Sequence, residues 1–419
     1  MKMYFRIAFR NIFRQRKRTL ITFLSIAVGL GLMIAGFSLY NGIDSQALNT
    51  IIDTQTAHLK IFAQGYGQKS DTFPLDITIS ESQKIEKVLS RTKNIVSFER
   101  RIVFLAALIE GTNEIPCTGI GIDTEAVPGA FDLRSYMPKD DLPKHKDQAL
   151  LIGSDLAEDI GLKKGDVLSV RMISSTEDFS WNVLDLEVKG LLRTGNPQID
   201  RTAIYVPLSV AQESLGLGES VTEIAVRLKN KKQALKVKEA LMKELNDPDQ
   251  IYEVKSYQDL ASDFLKFRKM RSRYRSVVPV IMLIIATLGI TNTMLMAVFE
   301  RTREIGILAA MGMRKKELMT LFILEGTFIG FFGSAAACVL GGLSGLYLEV
   351  KGVNISFIGE GMSEFASSIY PIKDIFYGDV TLSSLIFVLI FGTIIAAMAS
   401  VYPAYKAARL HPTEALRYV

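Results

Sequence analysis

The residues best placed to do chemistry stand at Glu300-Arg-Thr-Arg-Glu304, between two long apolar runs. Glu300–Arg303 and Arg301–Glu304 have i,i+3 spacing, so on a helix their chemistry is ion pairing. Both acids fall in the first turn, where the helix dipole favours negative charge. Beyond them Ile305, Leu308 and Met311/Gly312 form an apolar stripe, flanked by the small Gly306, Ala309 and Ala310. A stripe that short buries well in a groove of another protein; it can equally rest on lipid as an interfacial helix. A second candidate is Glu325, a carboxylate inside an apolar run. A charge at the membrane centre costs about 2.5–3.5 kcal/mol. That cost favours an ion pair with a basic residue at the rim over a proton or substrate site.

Bond-making chemistry is poorly represented. The three histidines, His58, His145 and His411, stand apart, with no H-E-x-x-H and no metal spacing. Cys117 and Cys338 fall in regions of different character, so neither a disulfide nor a thiol metal site is expected. There is no G-x-x-x-x-G-K-[ST] loop to cradle ATP phosphates and no G-x-S-x-G elbow. Gly119-Ile-Gly121 lacks the third glycine and the following helix of a dinucleotide fingerprint. The net charge of +5 is local rather than spread over an aromatic-interleaved module, which argues against nucleic acid.

The elements that must position these residues follow from hydropathy. The chain has 419 residues and is 48% hydrophobic, but its apolar residues pool into blocks. A spanning helix needs about 20 apolar residues, and four segments qualify: 19–43, 277–299, 318–348 and 382–404. Lys and Arg gather before the first, between the second and third (300–316), and after the fourth (405–419), whereas 349–380 is mostly acidic. The positive-inside rule therefore puts both termini in the cytoplasm and 44–275 outside. Lys266, Arg268, Lys269, Arg271, Arg273 and Arg275 dissent, but long domains translocate largely regardless of charge. Residues 1–18 put Phe5, Ala8, Phe9, Ile12 and Phe13 on one helical face and Arg6, Arg10, Arg14 and Lys17 on the other. That pattern predicts an amphipathic helix along the inner surface rather than a cleaved signal peptide. In the third span Gly326, Gly330, Ser334, Cys338 and Gly342 recur every four residues, as do Gly333, Ala337, Gly341 and Gly345. Small residues at this spacing let helix backbones approach, within one subunit or between two.

In the external region two β-α-β units are predicted, strand 58–63, helix 81–91 and strand 95–109, then strand 223–228, helix 232–245 and strand 251–254. Ser80 with Gln83 suggests a capping box. Between the units lie strands at 114–122, 167–172, 184–192 and 202–206 and a short helix at 155–160. The expected fold is an α-helical membrane protein with four transmembrane helices plus a large α+β extracytoplasmic domain. In that domain a split β-α-β ferredoxin-like subdomain (44–112 and 207–265) accepts a mainly-β insertion (113–206).

Glu300-Arg-Thr-Arg-Glu-Ile-Gly-Ile-Leu-Ala-Ala-Met-Gly312 resembles the coupling segment of the FtsX/MacB-type ABC permeases. The tail, with Pro403, Arg409, Pro412, Ala415, Leu416 and Arg417, resembles that family's cytoplasmic end, and four spans around one large domain match its plan. Asn41-Gly42 followed by His58-Leu-Lys-Ile, and Val188-Lys-Gly-Leu-Leu-Arg-Thr-Gly195 with Asp200, are similar to the lipoprotein-releasing (Lol) branch. Ile152-Gly-Ser-Asp-Leu-Ala157 with Gly161-Leu-Lys-Lys-Gly-Asp166 resembles a segment shared with MacB. In the Lol branch a hairpin before the 184–192 strand grips a periplasmic carrier. Here that piece, about Ser174 to Trp181, is short, a departure from the branch's carrier-gripping hairpin; Ser174 and Trp181 are candidate carrier contacts, and Trp181 fits a core position at least as well.

The resemblance implies a non-catalytic permease of the cell inner membrane that pairs with a second permease, identical or related. A separate ABC ATPase dimer would bind ATP and Mg, so this chain would hold no cofactor of its own. ATP-driven movement of the coupling helix would pass through the first two spans to the external domain. The expected cargo is a lipoprotein released toward the outer membrane, with a periplasmic lipoprotein carrier as a further partner and membrane lipid around the spans. Two alternatives stay open: a MacB-like exporter of small amphiphiles or peptides, and an FtsX-like regulator of a cell-wall hydrolase.

Overall fold

The computed structural model describes residues 2–14, 16–125, 129–138, 141–173, 181–246, 251–274, 277–354 and 375–410. The chain divides into two compact units, one built from 1–45, 268–353 and 376–419, the other from 46–267 and 354–375.

The first unit is helical. Helix α1 covers Lys2–Arg14 and α2 covers Arg16–Ile51. Three described helices have the length and hydropathy to cross a membrane, Thr19–Thr56, Lys315–Lys351 and Leu382–Ala408. The expected span at 277–299 falls in a further apolar helix, Val277–Glu300, several of whose side chains lie outside the described residues. The two small-residue rows of Lys315–Lys351 meet helices of the same chain. A Cβ on Gly326 would lie 2.6 Å from Ser400 Cβ, and one on Gly330 would lie 2.2 Å from Ala396 Cβ. A Cβ on Gly341 would lie 2.7 Å from Ile34 Cβ, and one on Gly345 would crowd Ser38. Ser334, fully buried, fills the notch opposite Gly392. One row thus faces Leu382–Ala408 and the other faces α2, as close packing in lipid requires. Gly330→Leu is therefore expected to destabilise the helix set by about 1–3 kcal/mol through overpacking. Gly36→Ala, where nothing stands within 4 Å, is the neutral control. The apparent Tm of the purified chain checks both.

The basic group before Val277 also has a partner. Arg268 Nε and Arg271 Nη2 both donate to the buried carboxylate of Asp44, and the Arg271 guanidinium lies 5.1 Å from the Tyr40 ring centroid. Part of the charge that defied the positive-inside rule is neutralised locally.

The second unit is an α+β domain around one nine-stranded sheet. Strand β1 (Leu59–Ala63), helix α3 (Ser82–Arg91) and β2 (Ile95–Glu110) form the first β-α-β unit. β8 (Glu223–Leu228), α7 (Ala234–Leu245) and β9 (Tyr252–Ser256) form the second. The two interleave in the order β2-β8-β1-β9, antiparallel at every pairing. Between them in sequence come β3 (Asn113–Ile122), β4 (Ala149–Gly153), β5 (Val167–Ile173), β6 (Trp181–Leu192) and β7 (Ala203–Pro207). Helices α4 (Ser154–Asp159), α5 (Pro197–Asp200) and α6 (Leu208–Leu215) connect them.

The expected boundary at residue 113 does not separate two pieces. β2 pairs with β8 through its first half, with β3 from Arg101 onward and with β5 over Ala106–Ile109. The strands β2-β3-β7-β4-β6-β5 therefore close on themselves, and β2 belongs to both parts. Sixteen residues give that strand the length to serve two sets of partners. The capping box expected at Ser80 is also absent. Ile79 exchanges backbone hydrogen bonds with Val221, which keeps the chain extended, and the helix starts only at Ser82 with no side-chain cap on Glu81.

One face of the sheet buries Leu59, Ile61, Ile102 and Phe104 against Ile85 and Leu89 of α3 and Leu241 of α7. The other face packs Ile120, Ile122, Tyr205 and Phe131. Asp200 fastens a turn there, accepting from Thr194 N at 2.9 Å and Gly195 N at 2.8 Å.

Candidate docking site

Helix α8 (Tyr257–Leu260), α9 (Ser262–Tyr274) and α10 (Val277–Glu300) lead to the short helix α11, Thr302–Ala310; α12 is Lys315–Lys351 and α13 is Leu382–Ala408. Arg301 breaks the helical path between α10 and α11, with φ −104° and ψ 15°. Thr302 secures the break from the other side, its Oγ1 donating to Phe299 O at 2.8 Å. At the far end Gly312 takes φ +93°, and Met313 N donates back to Leu308 O at 3.1 Å. This is a glycine-terminated helix end that satisfies an otherwise orphaned carbonyl. Arg314 N then donates to Glu317 Oε2 at 2.8 Å and starts α12.

Arg301 turns inward. Its Nη1 donates to Glu325 Oε2 at 3.1 Å and Oε1 at 3.2 Å, and its Nη2 reaches Asn11 O at 3.3 Å. Both charged side chains are buried. One guanidinium therefore ties α1, the start of α11 and α12 together. Phe5 and Phe9 of α1 add ring contacts to Phe328 at 4.7 and 6.0 Å, so the apolar face of α1 seats partly on α12. The i,i+3 pattern pointed Arg301 at Glu304; the ion pair expected of Glu325 with a basic residue is instead the one Arg301 makes, 24 residues away in sequence.

The stripe expected to dock splits between two faces. Ile305 is 2% exposed, packed with Val298, Leu318, Phe322, Ala404 and Ala407, and Leu308 leans on the same cluster. Gly306 is buried as well. The outward face is Arg303, Ile307, Ala310 and Met311, with Ile307 44% and Met311 72% exposed. Glu300 and Gly312 are exposed, while Glu304 and Ala309 are intermediate. A helix nine residues long has two faces, and the neighbouring spans claim the one that carries Ile305. Ile307, passed over in the sequence because it stands off the stripe, is thus one of the two large apolar side chains on the free face, with Met311.

Of the tail residues, Pro403 is buried within α13, and Arg409 ends the helix with its guanidinium 4.5 Å from the Tyr405 ring. Pro412, Ala415, Leu416 and Arg417 lie outside the described residues, as does Ser174; Trp181 begins β6, its side chain undescribed. Among the described residues no cluster of His, Cys, Asp and Glu could hold a metal ion. His58 is a structural acceptor, its Nδ1 receiving Leu228 N at 2.8 Å. Burial, and secondarily Arg227 and Lys231, push its pKa down to about 4. Cys117 is buried, and its thiol is pushed up to about 12 by that burial.

Three apolar helices of spanning length, one large α+β unit and a short, partly exposed helix between two apolar helices fit a membrane permease. The profile of the MacB-like periplasmic core domain matches residues 19–244, and that of the FtsX-like permease C-terminal region matches 276–412. The chain belongs to the FtsX/MacB family of ABC transporter permeases. It is similar to the lipoprotein-releasing system transmembrane protein LolC of Xylella fastidiosa, 23% identical over 98% of each chain. LolE of Haemophilus influenzae is 25% identical over 94% of this chain and 92% of its own. The macrolide export ATP-binding/permease protein MacB of Campylobacter jejuni is 25% identical over 98% of this chain and 61% of its own.

Proposed function

We propose that this chain is a permease subunit that releases lipoproteins from the inner membrane for transfer to the outer membrane, driven by a separate ATPase dimer. The supporting observation is the exposed face of α11, where Ile307, Ala310 and Met311 form an apolar patch beside Arg303. Two relatives that match nearly end to end carry lipoprotein-releasing names, which favours that cargo. In this reading the termini and α11 face the cytoplasm, residues 46–267 face the periplasm, and a second permease completes the transporter. ATP binding and hydrolysis belong to the partner. The permease contributes rigid helices and a movable contact, and displacement of α11 passes through Arg301 into α1 and α12. The likeness to MacB over 98% of the chain supports a second reading, export of an amphiphile or peptide.

Depletion of the protein followed by membrane fractionation separates the readings. Lipoproteins retained in the inner membrane are the expected result. Normal lipoprotein sorting with altered susceptibility to amphiphilic drugs overturns the first reading in favour of the second.

A further inference from the structure

Helix α1 carries more than the contact between Asn11 and Arg301. It rests on α12, and its Ala8 is fully buried. Phe5 and Phe9, one turn apart, touch Phe328 edge-on yet stay 53% and 43% exposed. Phe332, 6.3 Å from Phe9, and Phe331, 5.5 Å from Phe332, extend the aromatic surface along α12, and both are exposed. Arg6 and Arg10 each follow one of the α1 rings in sequence, so they flank the aromatic surface, and both are exposed. Lys2 and Arg14 continue the same four-residue row in the sequence, and no acid occurs in Lys2–Arg14. Among the described residues Arg6 and Arg10 have no ion-pair partner.

The depth of this surface in a membrane follows from α12. No charged residue stands between Glu325 and Glu349. The far end of that stretch is marked by the return of the chain, where Gly378 N donates to Leu348 O at 3.1 Å. From Leu348 back to Phe328 is about 20 residues, roughly 30 Å of helix and so one hydrocarbon thickness. Phe328, and with it α1, therefore lies at the other boundary between hydrocarbon and water. Half-exposed rings at that level meet acyl chains, and arginines beside them reach the phosphate layer while their stems stay on apolar surface. Glu325, close to the same level, is buried and committed to Arg301, so it does not neutralise Arg6 or Arg10. A zwitterionic lipid brings no net charge to such a surface, whereas an anionic lipid is attracted by each basic side chain near it.

We propose that α1 and the adjoining turn of α12 bind an anionic phospholipid, its phosphate held by Arg6 and Arg10 and an acyl chain lying along Phe5, Phe9 and Phe332. Guanidinium donors and phosphate oxygens form charge-assisted hydrogen bonds. An acidic protein surface would answer the arginines but brings no acyl chain to the rings, and the rings lie at the depth where acyl chains begin. The inference stands apart from the transport reading, because it concerns lipid contacts of this chain alone.

The test is fluorescence quenching by brominated lipid in the full-length chain. Trp181 is the single tryptophan, so Trp181→Phe removes the background and Phe332→Trp puts one reporter in the aromatic surface. The chain is reconstituted in phosphatidylcholine bilayers, with dibrominated phosphatidylglycerol or dibrominated phosphatidylcholine as the probe. Quenching by phosphatidylglycerol with an apparent affinity about tenfold or more above that of phosphatidylcholine is expected. Arg6→Gln with Arg10→Gln should bring the two lipids within about twofold of each other; both side chains are exposed, so the fold is kept. A second reporter, Met398→Trp in place of Phe332→Trp, is exposed at similar depth on α13, where Ser400 meets Gly326, and should show no such preference. Equal quenching by the two lipids at Phe332→Trp overturns the proposal and leaves the arginines to an acidic protein surface. An undiminished preference in the arginine variant overturns it too, as does one equally large at Met398→Trp, which would be a general attraction of anionic lipid to that side of the chain.

Discussion

Arg301→Met is expected to lower stability by about 3–5 kcal/mol, the usual cost of stripping one member from a buried ion pair. The substitution removes the guanidinium that both oxygens of Glu325 share and the donor that Asn11 O accepts. It acts at the junction of three helices, so the loss should appear as a fall in apparent Tm and as ATP hydrolysis no longer matched by cargo release. Arg301→Lys should rescue only in part, because one ammonium lacks the fork that reaches Glu325 and Asn11 together. The double variant Arg301→Met, Glu325→Met tests the electrostatic account. Removing both charges is expected to recover most of the stability, since a well-packed apolar pair often matches a buried salt bridge, while coupling stays impaired. If the double variant is as unstable as Arg301→Met, the ion pair is not what holds the junction.

Ile307→Asp combined with Met311→Asp is expected to abolish ATPase docking while leaving the permease folded. Both side chains are exposed, so their replacement costs this chain little. At a protein interface, truncating an apolar anchor commonly costs about 2 kcal/mol or more, roughly a thirtyfold loss of affinity. A charge in its place adds desolvation. Titration of the purified ATPase against the permease in nanodiscs measures the effect. Ile305→Asp is the contrast: it introduces a charge into the cluster of Val298, Phe322 and Ala404, and the chain itself should fail to accumulate. Unchanged ATPase affinity in the Ile307/Met311 variant would falsify docking on the free face of α11.

Much of the architecture was legible from local pattern. The apolar run that became α13 begins at Leu382, as expected, and β8 spans the expected Glu223–Leu228. Both are announced by periodicity and by polar breaks at their ends. β4 and α6 were not read. Ala149–Gly153 is a five-residue strand buried throughout, and so short an apolar run carries no alternation to mark it as strand. A charged row on the sheet, Lys60, Glu99, Arg101 and Glu223, was also missed, because it assembles from three strands far apart in sequence.

By itself the sequence determined that apolar helices of spanning length flank a large α+β region, and that a short helix with charged first turn stands between two of them. These properties depend on residues within a few turns of one another. Only the tertiary structure decided that Ile305 faces inward and Ile307 outward, that Arg301 answers Glu325, and that β2 closes a ring while still serving β8. A nine-residue helix carries apolar side chains on more than one face, and a guanidinium can reach any carboxylate brought within its length. Which face is buried and which acid is met depends on neighbours supplied by distant parts of the chain.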